Sequence, residues 1–228
     1  MRGFAVLKKH IPALGGGAVA DLIAAFVKDM PGGNIAGALT GGFIDELLDR
    51  RAERARKIFI EEIAKAKRPI KDVHEQDELV AIVYRYLDAA RQGAARLNLR
   101  LMAKTIRGQQ ESGELNADQF LRYAELLSTL ARDEVIFLAT LHRHYEKRDV
   151  PDTTQVYRNV VNELTGGDHL KDVDVKATAT ALQRTGLLLP IHTSIIGGAG
   201  YHCAPSPHLS RIAELASFEE ALSETPEA

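Results

Sequence analysis

The amino-acid sequence predicts a mainly α-helical protein, in which a helical bundle is followed by a smaller C-terminal domain that contains one β-hairpin. From residue 44 onward, apolar residues recur at intervals of three and four, the pattern of amphipathic helices that pack against one another. Near the C-terminus, two short apolar runs flank the glycine-rich segment 196–200, which is typical of a strand, a turn and a strand. We therefore expect two domains, 1–130 and 131–228.

The apolar stripes predict seven successive helices, with the approximate ranges 44–68, 75–107, 116–130, 133–147, 153–164, 172–185 and 207–222. The second helix is predicted to end in a polar loop at 108–113, and Asn116 to cap the third. Gly186 is predicted to end the sixth helix in a left-handed conformation. Glu61 and Glu62 are predicted to face solvent on the first helix, where no shift of their pKa values is expected.

Composition limits the classes of protein that the chain can represent. Its 228 residues are 45% hydrophobic and 26% charged, as in an average globular protein. A formal net charge of −2 indicates no nucleic-acid or membrane partner for the molecule as a whole. The single cysteine, Cys203, excludes a disulfide framework and favours a reducing compartment. Because the N-terminus lacks the order of a signal peptide, we expect a cytoplasmic protein, with peripheral membrane association as an open alternative.

The first 44 residues differ from the rest, since they contain nine of the eighteen glycines. Residues 11–44 form a glycine-rich apolar segment that is interrupted by charges and by a proline, whereas a transmembrane helix needs about 20 largely apolar residues. Gly33, Gly37 and Gly41 are spaced by four and would form one small face of a helix. Such a face suits a soluble helical hairpin and equally a membrane-seeking segment, and both interpretations stay open.

The richest basic cluster follows this segment directly, on the first predicted helix. Its members are Arg50, Arg51, Arg54, Arg56 and Lys57. Interspersed acidic residues can pair with them along the helix, so that a solvated helix face is the simpler interpretation. The functional alternative is a surface that contacts anionic lipid headgroups or another anionic partner.

The C-terminal region has a recognisable order of elements. The segment 177–188 combines a small-residue helix, a glycine and the start of a strand, and 201–209 combines a strand with the start of a helix. In this order the region 131–222 resembles a winged-helix module. The resemblance implies that helix 172–185 enters the major groove of DNA. The candidate contact residues would be Lys171, Lys176, Thr180, Gln183 and Arg184.

Charge argues against that use of the module. From residue 153 to residue 228 the chain carries five lysines and arginines and nine acidic residues. Phosphate contacts dominate affinity for DNA and need a basic surface. A module that packs against protein therefore fits the sequence better than one that binds DNA.

The layout of the whole chain also resembles a known family. A glycine-rich apolar N-terminus, a charged helix and a helical middle precede the stretch Leu130-Ala131-Arg132-Asp133-Glu134. This order resembles the bacterial Abi-alpha-type family, named for abortive phage infection. The resemblance implies a role in phage defence and supplies no catalytic residues.

Chemical motifs are weak throughout. His192, His202, Cys203 and His208 surround the predicted hairpin, but their spacing matches no class of zinc site. No convergent set of titratable residues predicts a catalytic centre, and no cofactor motif is recognisable. We therefore predict a non-enzymatic interaction protein without a cofactor or metal, whose partner is a protein or a second copy of the chain. A membrane partner is open, and a DNA-binding regulator is the alternative.

Overall fold

A computed structural model describes residues 41–146, 152–166, 172–195 and 198–226. The chain divides into two compact units, Met1–Thr129 and Leu130–Ala228. Over the described residues it forms nine α-helices and one two-stranded antiparallel sheet, which confirms the prediction of a mainly helical fold with a small hairpin. Of the candidate residues, Gly33, Gly37 and Lys171 lie outside the described residues, and Gly41 is the first residue of the first described helix.

The first unit contains four described helices. They are α1 (Gly41–Ile63), α2 (Val73–Arg91), α3 (Arg96–Ser112) and α4 (Ala117–Ser128). Helix α3 packs against the other three, and its residues Leu101, Met102 and Ile106 are completely buried. The hydroxyl of Tyr86 in α2 donates to the carbonyl oxygen of Ala55 in α1 at 2.9 Å, which satisfies the one polar atom of a fully buried ring.

The prediction of one helix over 75–107 is wrong, because the chain turns between α2 and α3. Gly93 has a φ of 100°, a left-handed conformation that favours glycine. The amide of Ala94 donates to the carbonyl oxygen of Ala89 at 3.0 Å, and that of Gly93 to Ala90 at 3.2 Å. These two bonds form the usual glycine-dependent helix end.

The predicted polar loop at 108–113 is also wrong, because α3 continues to Ser112 and ends at Gly113, whose φ is 74°. Gln110 is buried there, and its amide group donates to the carbonyl oxygen of Arg68 at 2.7 Å. The contact holds the loop after α1, which ends at Ile63 and not at residue 68. Arg68 lies in this loop, and hydrogen bonds from its guanidinium lower the pKa of Glu75 in the first turn of α2.

The second unit forms around one central helix. Its elements are α5 (Arg132–Glu146), α6 (Thr153–Gly166), α7 (Asp172–Leu182), a 3-10 helix (Gln183–Thr185), β1 (Leu188–Ile195), β2 (Gly198–Pro205), α8 (Pro207–Leu215) and α9 (Phe218–Ser223). The strands pair in a register that runs from Leu188 opposite Pro205 to Ile195 opposite Gly198. Helix α5 packs against every described α-helix of the unit and against β2.

Two helix ends in the second unit test the helix boundaries predicted from the sequence. Gly186 ends the 3-10 helix with a φ of 67°, as predicted. The predicted last helix over 207–222 is wrong, because Ala216 is extended (φ −130°, ψ 110°) and separates α8 from α9. The hydroxyl of Ser217 then accepts from the amide of Glu220 at 3.2 Å and begins α9 as its N-cap.

Replacement of Gly93 by alanine tests the turn between α2 and α3. We expect Gly93→Ala to lower the free energy of unfolding by about 1–2 kcal/mol, because an L side chain is strained at positive φ. The measurement is urea unfolding followed by circular dichroism. In the control Gly166→Ala, the new Cβ meets nothing within 4 Å and φ is not positive, so a change within about 0.5 kcal/mol is expected. Equal stability of the two variants would contradict this assignment of the turn.

Candidate functional site

The five basic residues predicted as an anionic-partner site lie in the middle of α1, and we call them the α1 basic face. They are Arg50, Arg51, Arg54, Arg56 and Lys57. All are exposed except Arg56, which is half-buried and lies 3.6 Å from the carboxylate of Glu53. Arg50, Arg54 and Lys57 follow one another at steps of four and three and therefore share one side of the helix.

The opposite side of α1 contains the apolar residues that hold the helix in the bundle. Ala55, Ile58 and Phe59 are buried, and the ring of Phe59 lies 5.3 Å from that of Tyr86 in α2. Because these contacts fix the rotation of the helix about its axis, Arg50, Arg54 and Lys57 are turned away from the core.

Glu62 lies on the buried side of α1, so the prediction that it faces solvent is wrong. Its side chain is 0% exposed. One carboxylate oxygen accepts from Arg100 Nη1 at 3.1 Å and from Lys65 Nζ at 3.0 Å. The other accepts from Arg107 Nη1 at 2.9 Å and lies 3.6 Å from Lys104 Nζ. One buried carboxylate thus meets four cations.

The cations come from one stripe of α3 together with Lys65 in the turn after α1. Arg100, Lys104 and Arg107 are spaced by four and three residues, so they share the face of α3 that meets α1. Arg100 also reaches the half-exposed Glu61, with Nη2 3.3 Å from its carboxylate. We call Glu61, Glu62, Lys65, Arg100, Lys104 and Arg107 the Glu62 cluster. Sequence reasoning missed this cluster, although the regular spacing of the α3 cations was a signal for it.

The stability of this cluster depends on the presence of all its charged partners. A buried carboxylate loses hydration worth several kcal/mol, and close cations offset that loss only while all partners are in place. The fully buried ammonium group of Lys104 has also lost its hydration, and the nearby carboxylate of Glu62 offsets that loss. The cluster therefore ties α1 to α3 in one arrangement.

The candidate DNA-contacting residues that the structure describes lie on α7 and on the 3-10 helix that follows it. Lys176 and Thr180 are exposed one turn apart on α7, and the Thr180 hydroxyl donates to the carbonyl oxygen of Lys176 at 2.9 Å. Gln183 and Arg184 are exposed in the 3-10 helix that follows. The structure therefore brings these four to successive turns of the chain.

Arg184 has a partner within the unit. Its Nη1 and Nη2 donate to the two carboxylate oxygens of Glu134 in α5, at 2.8 and 3.2 Å, and these hydrogen bonds raise the pKa of Arg184. Glu134 is buried and also accepts from the amide of Ala131 at 2.9 Å. A guanidinium held by both arms in this way would have to leave Glu134 in order to read a base.

The residues considered as metal ligands do not converge where the structure describes them. Cys203 is completely buried, and burial raises the pKa of its thiol to about 12. The ring of His202 packs against Tyr157 of α6 with centroids 5.6 Å apart, while His208 is exposed on α8. Among the described residues, no three His, Cys, Asp or Glu side chains are grouped so as to hold a metal ion. At neutral pH the Cys203 thiol is protonated, which is not the reactive form.

A shallow groove of about 240 Å³ lies between α2 and α4. It is lined by Arg85, Asp88, Ala89, Gln92, Leu121, Ala124, Glu125 and Ser128. Its polar groups pair with each other, since the Asp88 carboxylate accepts from Gln92 Nε2 at 2.7 Å and lies 3.8 Å from Arg85. This arrangement shows no nucleophile next to a base.

Two further findings concern no single side chain. In the part of the chain that the structure describes, no helix has both the length and the apolar character needed to cross a bilayer. Comparison with models of protein families, with curated proteins and with solved structures gave no match. The distribution of charge over the described residues is therefore the basis for proposals on function.

Substitution of Glu62 tests the buried cluster. We expect Glu62→Gln to lower the free energy of unfolding by about 3–5 kcal/mol, because it removes the charge on which the buried cations depend. The control is Glu53→Gln on the same helix, where an exposed pair with Arg56 contributes less than about 1 kcal/mol. Urea unfolding of both variants gives the comparison. A loss no larger for Glu62→Gln than for Glu53→Gln would contradict the structural role of the cluster.

Proposed function

We propose that this chain is a non-enzymatic interaction protein that associates with an anionic membrane surface through the α1 basic face. The observation that supports the proposal is the exposure of Arg50, Arg51, Arg54 and Lys57 on one helix. Over residues 50–57 the only acidic residue is Glu53. Each lysine or arginine that reaches an anionic bilayer contributes about 1 kcal/mol to binding, so four of them give a useful affinity.

The position of the α1 basic face in the sequence supports the same partner. It follows the glycine-rich apolar residues 11–44 after the five residues 45–49, three of which are acidic. Peripheral membrane binding is stable when an electrostatic contribution is combined with an apolar one, and the sequence places both side by side. A single-stranded nucleic-acid partner for this face is less favoured, because the chain has no Trp and only 6% aromatic residues for base stacking.

Bacterial phage defence is the setting that we propose for this activity. The support is the resemblance of the layout to the Abi-alpha-type family. In that setting the protein would act by binding, at a membrane or on a protein partner, and without a chemical step of its own.

Vesicle flotation tests the membrane proposal with the full chain. Vesicles contain phosphatidylglycerol in phosphatidylcholine, and pure phosphatidylcholine vesicles serve as the neutral arm. The triple variant Arg50→Gln, Arg54→Gln and Lys57→Gln is expected to bind the anionic vesicles roughly 150-fold more weakly than the wild type. A matched triple variant removes three exposed cations elsewhere, Lys71→Gln, Arg122→Gln and Arg158→Gln, and is expected to bind as the wild type does.

Two results would overturn the membrane proposal. The first is a wild-type chain that does not float with anionic vesicles. The second is an equal loss of affinity in both triple variants, since that would show dependence on net charge and not on the α1 basic face.

A second candidate function is duplex DNA binding by the second unit, acting as a winged-helix module. The exposure of Lys176, Thr180 and Gln183 on α7 and the turn after it favours it, as does the order of three helices, a hairpin and a helix. The bidentate pair of Arg184 with Glu134 and the acidic balance of residues 153–228 weigh against it.

Fluorescence anisotropy with a labelled duplex separates the two candidates. The membrane proposal predicts no duplex binding that depends on Lys176. Binding that is lost in Lys176→Glu and kept in the triple variant of α1 would replace the membrane proposal by the DNA one.

A further inference from the structure

The side chain of Arg51 reaches away from α1 to the turn between α2 and α3. A Cβ placed on Gly93 would lie 3.4 Å from Arg51 Nη1, so the guanidinium lies directly against this turn. The turn is short, since α2 ends at Arg91 and α3 begins at Arg96. The first unit therefore brings part of the α1 basic face next to a second element of the chain.

Two more arginines flank this turn. Arg91 is the last residue of α2 and Arg96 the first of α3, and both are exposed. They are two and three residues from Gly93, so their Cα atoms lie at most about 8 and 11 Å from its Cα. Arg51 thus lies near two cations that are distant in sequence, and Arg54 follows it on the next turn of α1.

The four arginines share a second property. Over the described residues, the side chains of Arg51, Arg54, Arg91 and Arg96 make neither a hydrogen bond nor an ion pair. Other arginines of the first unit are committed within the fold. Examples are Arg56 with Glu53, Arg68 with Glu75, Arg85 with Asp88, and Arg100 and Arg107 with Glu62. The guanidinium groups around the turn are therefore available to an external anion.

Acidic side chains on the adjoining stretches do not cancel this charge. Glu53 in α1 pairs with Arg56, and Asp88 in α2 accepts from Gln92 and lies near Arg85. Both carboxylates are thus engaged with partners of their own.

We propose that Arg91 and Arg96 join Arg51 and Arg54 in one composite cationic surface that contacts the phosphate groups of anionic phospholipids. The inference rests on the proposed membrane association and extends it from one helix to two elements. Arginine suits this ligand, because its planar group donates two parallel hydrogen bonds to a phosphate. A bilayer offers many such phosphates in one plane, so cations from two elements can bind it at the same time.

The test compares vesicle binding of full-length variants. The double variant Arg91→Gln and Arg96→Gln is expected to bind phosphatidylglycerol vesicles roughly 30-fold more weakly than the wild type, from about fivefold for each charge. The double variant Arg122→Gln and Arg158→Gln changes net charge equally at exposed positions and is expected to bind as the wild type. Arg91→Lys with Arg96→Lys keeps both charges and is expected to lose less than fivefold, which separates charge from an effect on folding.

The outcomes separate this inference from the proposal on which it rests. If the wild type binds anionic vesicles and the variant at Arg91 and Arg96 binds equally well, the composite surface is overturned and the role of α1 stands. If the wild type does not bind, both are overturned. Inorganic phosphate added at constant ionic strength should leave the wild type on the vesicles, and its displacement would overturn the assignment to a lipid surface.

Discussion

The carboxylate of Glu62 is the interaction on which the arrangement of the first unit depends. It is fully buried, and cations from α3 and from the turn after α1 surround it. Because a buried charge is tolerated only with its partners in place, α1 has one favourable rotation and one register against α3. That rotation turns Arg50, Arg54 and Lys57 outward. The buried cluster and the exposed basic face are thus two sides of one constraint on one helix.

Apolar periodicity predicted most of the helices. It failed at helix ends that are determined by the conformation of the backbone. The stripe through Ala90, Ala94 and Leu97 keeps its spacing across the turn, so nothing in the apolar pattern marks the end of α2. The end depends on the positive φ of Gly93, and a glycine inside a helical pattern does not by itself show that conformation. The break at Ala216 is harder to predict, since neither glycine nor proline marks it.

Side-chain pairing was less predictable than helix position. The location of the basic residues on α1 followed from sequence alone. Glu62 was wrongly predicted to face solvent, because it stands next to another acidic residue on a helix rich in charged residues. Its partners on α3 are 38 to 45 residues away, and Glu134 lies 50 residues from Arg184. Such pairs require knowledge of which helix faces meet. The resemblance to a winged helix and to a phage-defence family remains a prediction, since it concerns function and topology beyond the helical fold class.

The burial of Cys203 makes the chain convenient for site-specific chemistry. This is the only cysteine, and its thiol is buried on strand β2 of the hairpin, where burial raises its pKa to about 12. A cysteine introduced on an exposed residue, for example at Lys57, would therefore react with a maleimide dye much faster than the native thiol. Spectroscopic probes can thus be attached without first removing Cys203. Conversely, slow modification of Cys203 itself would report the rate at which the second unit opens.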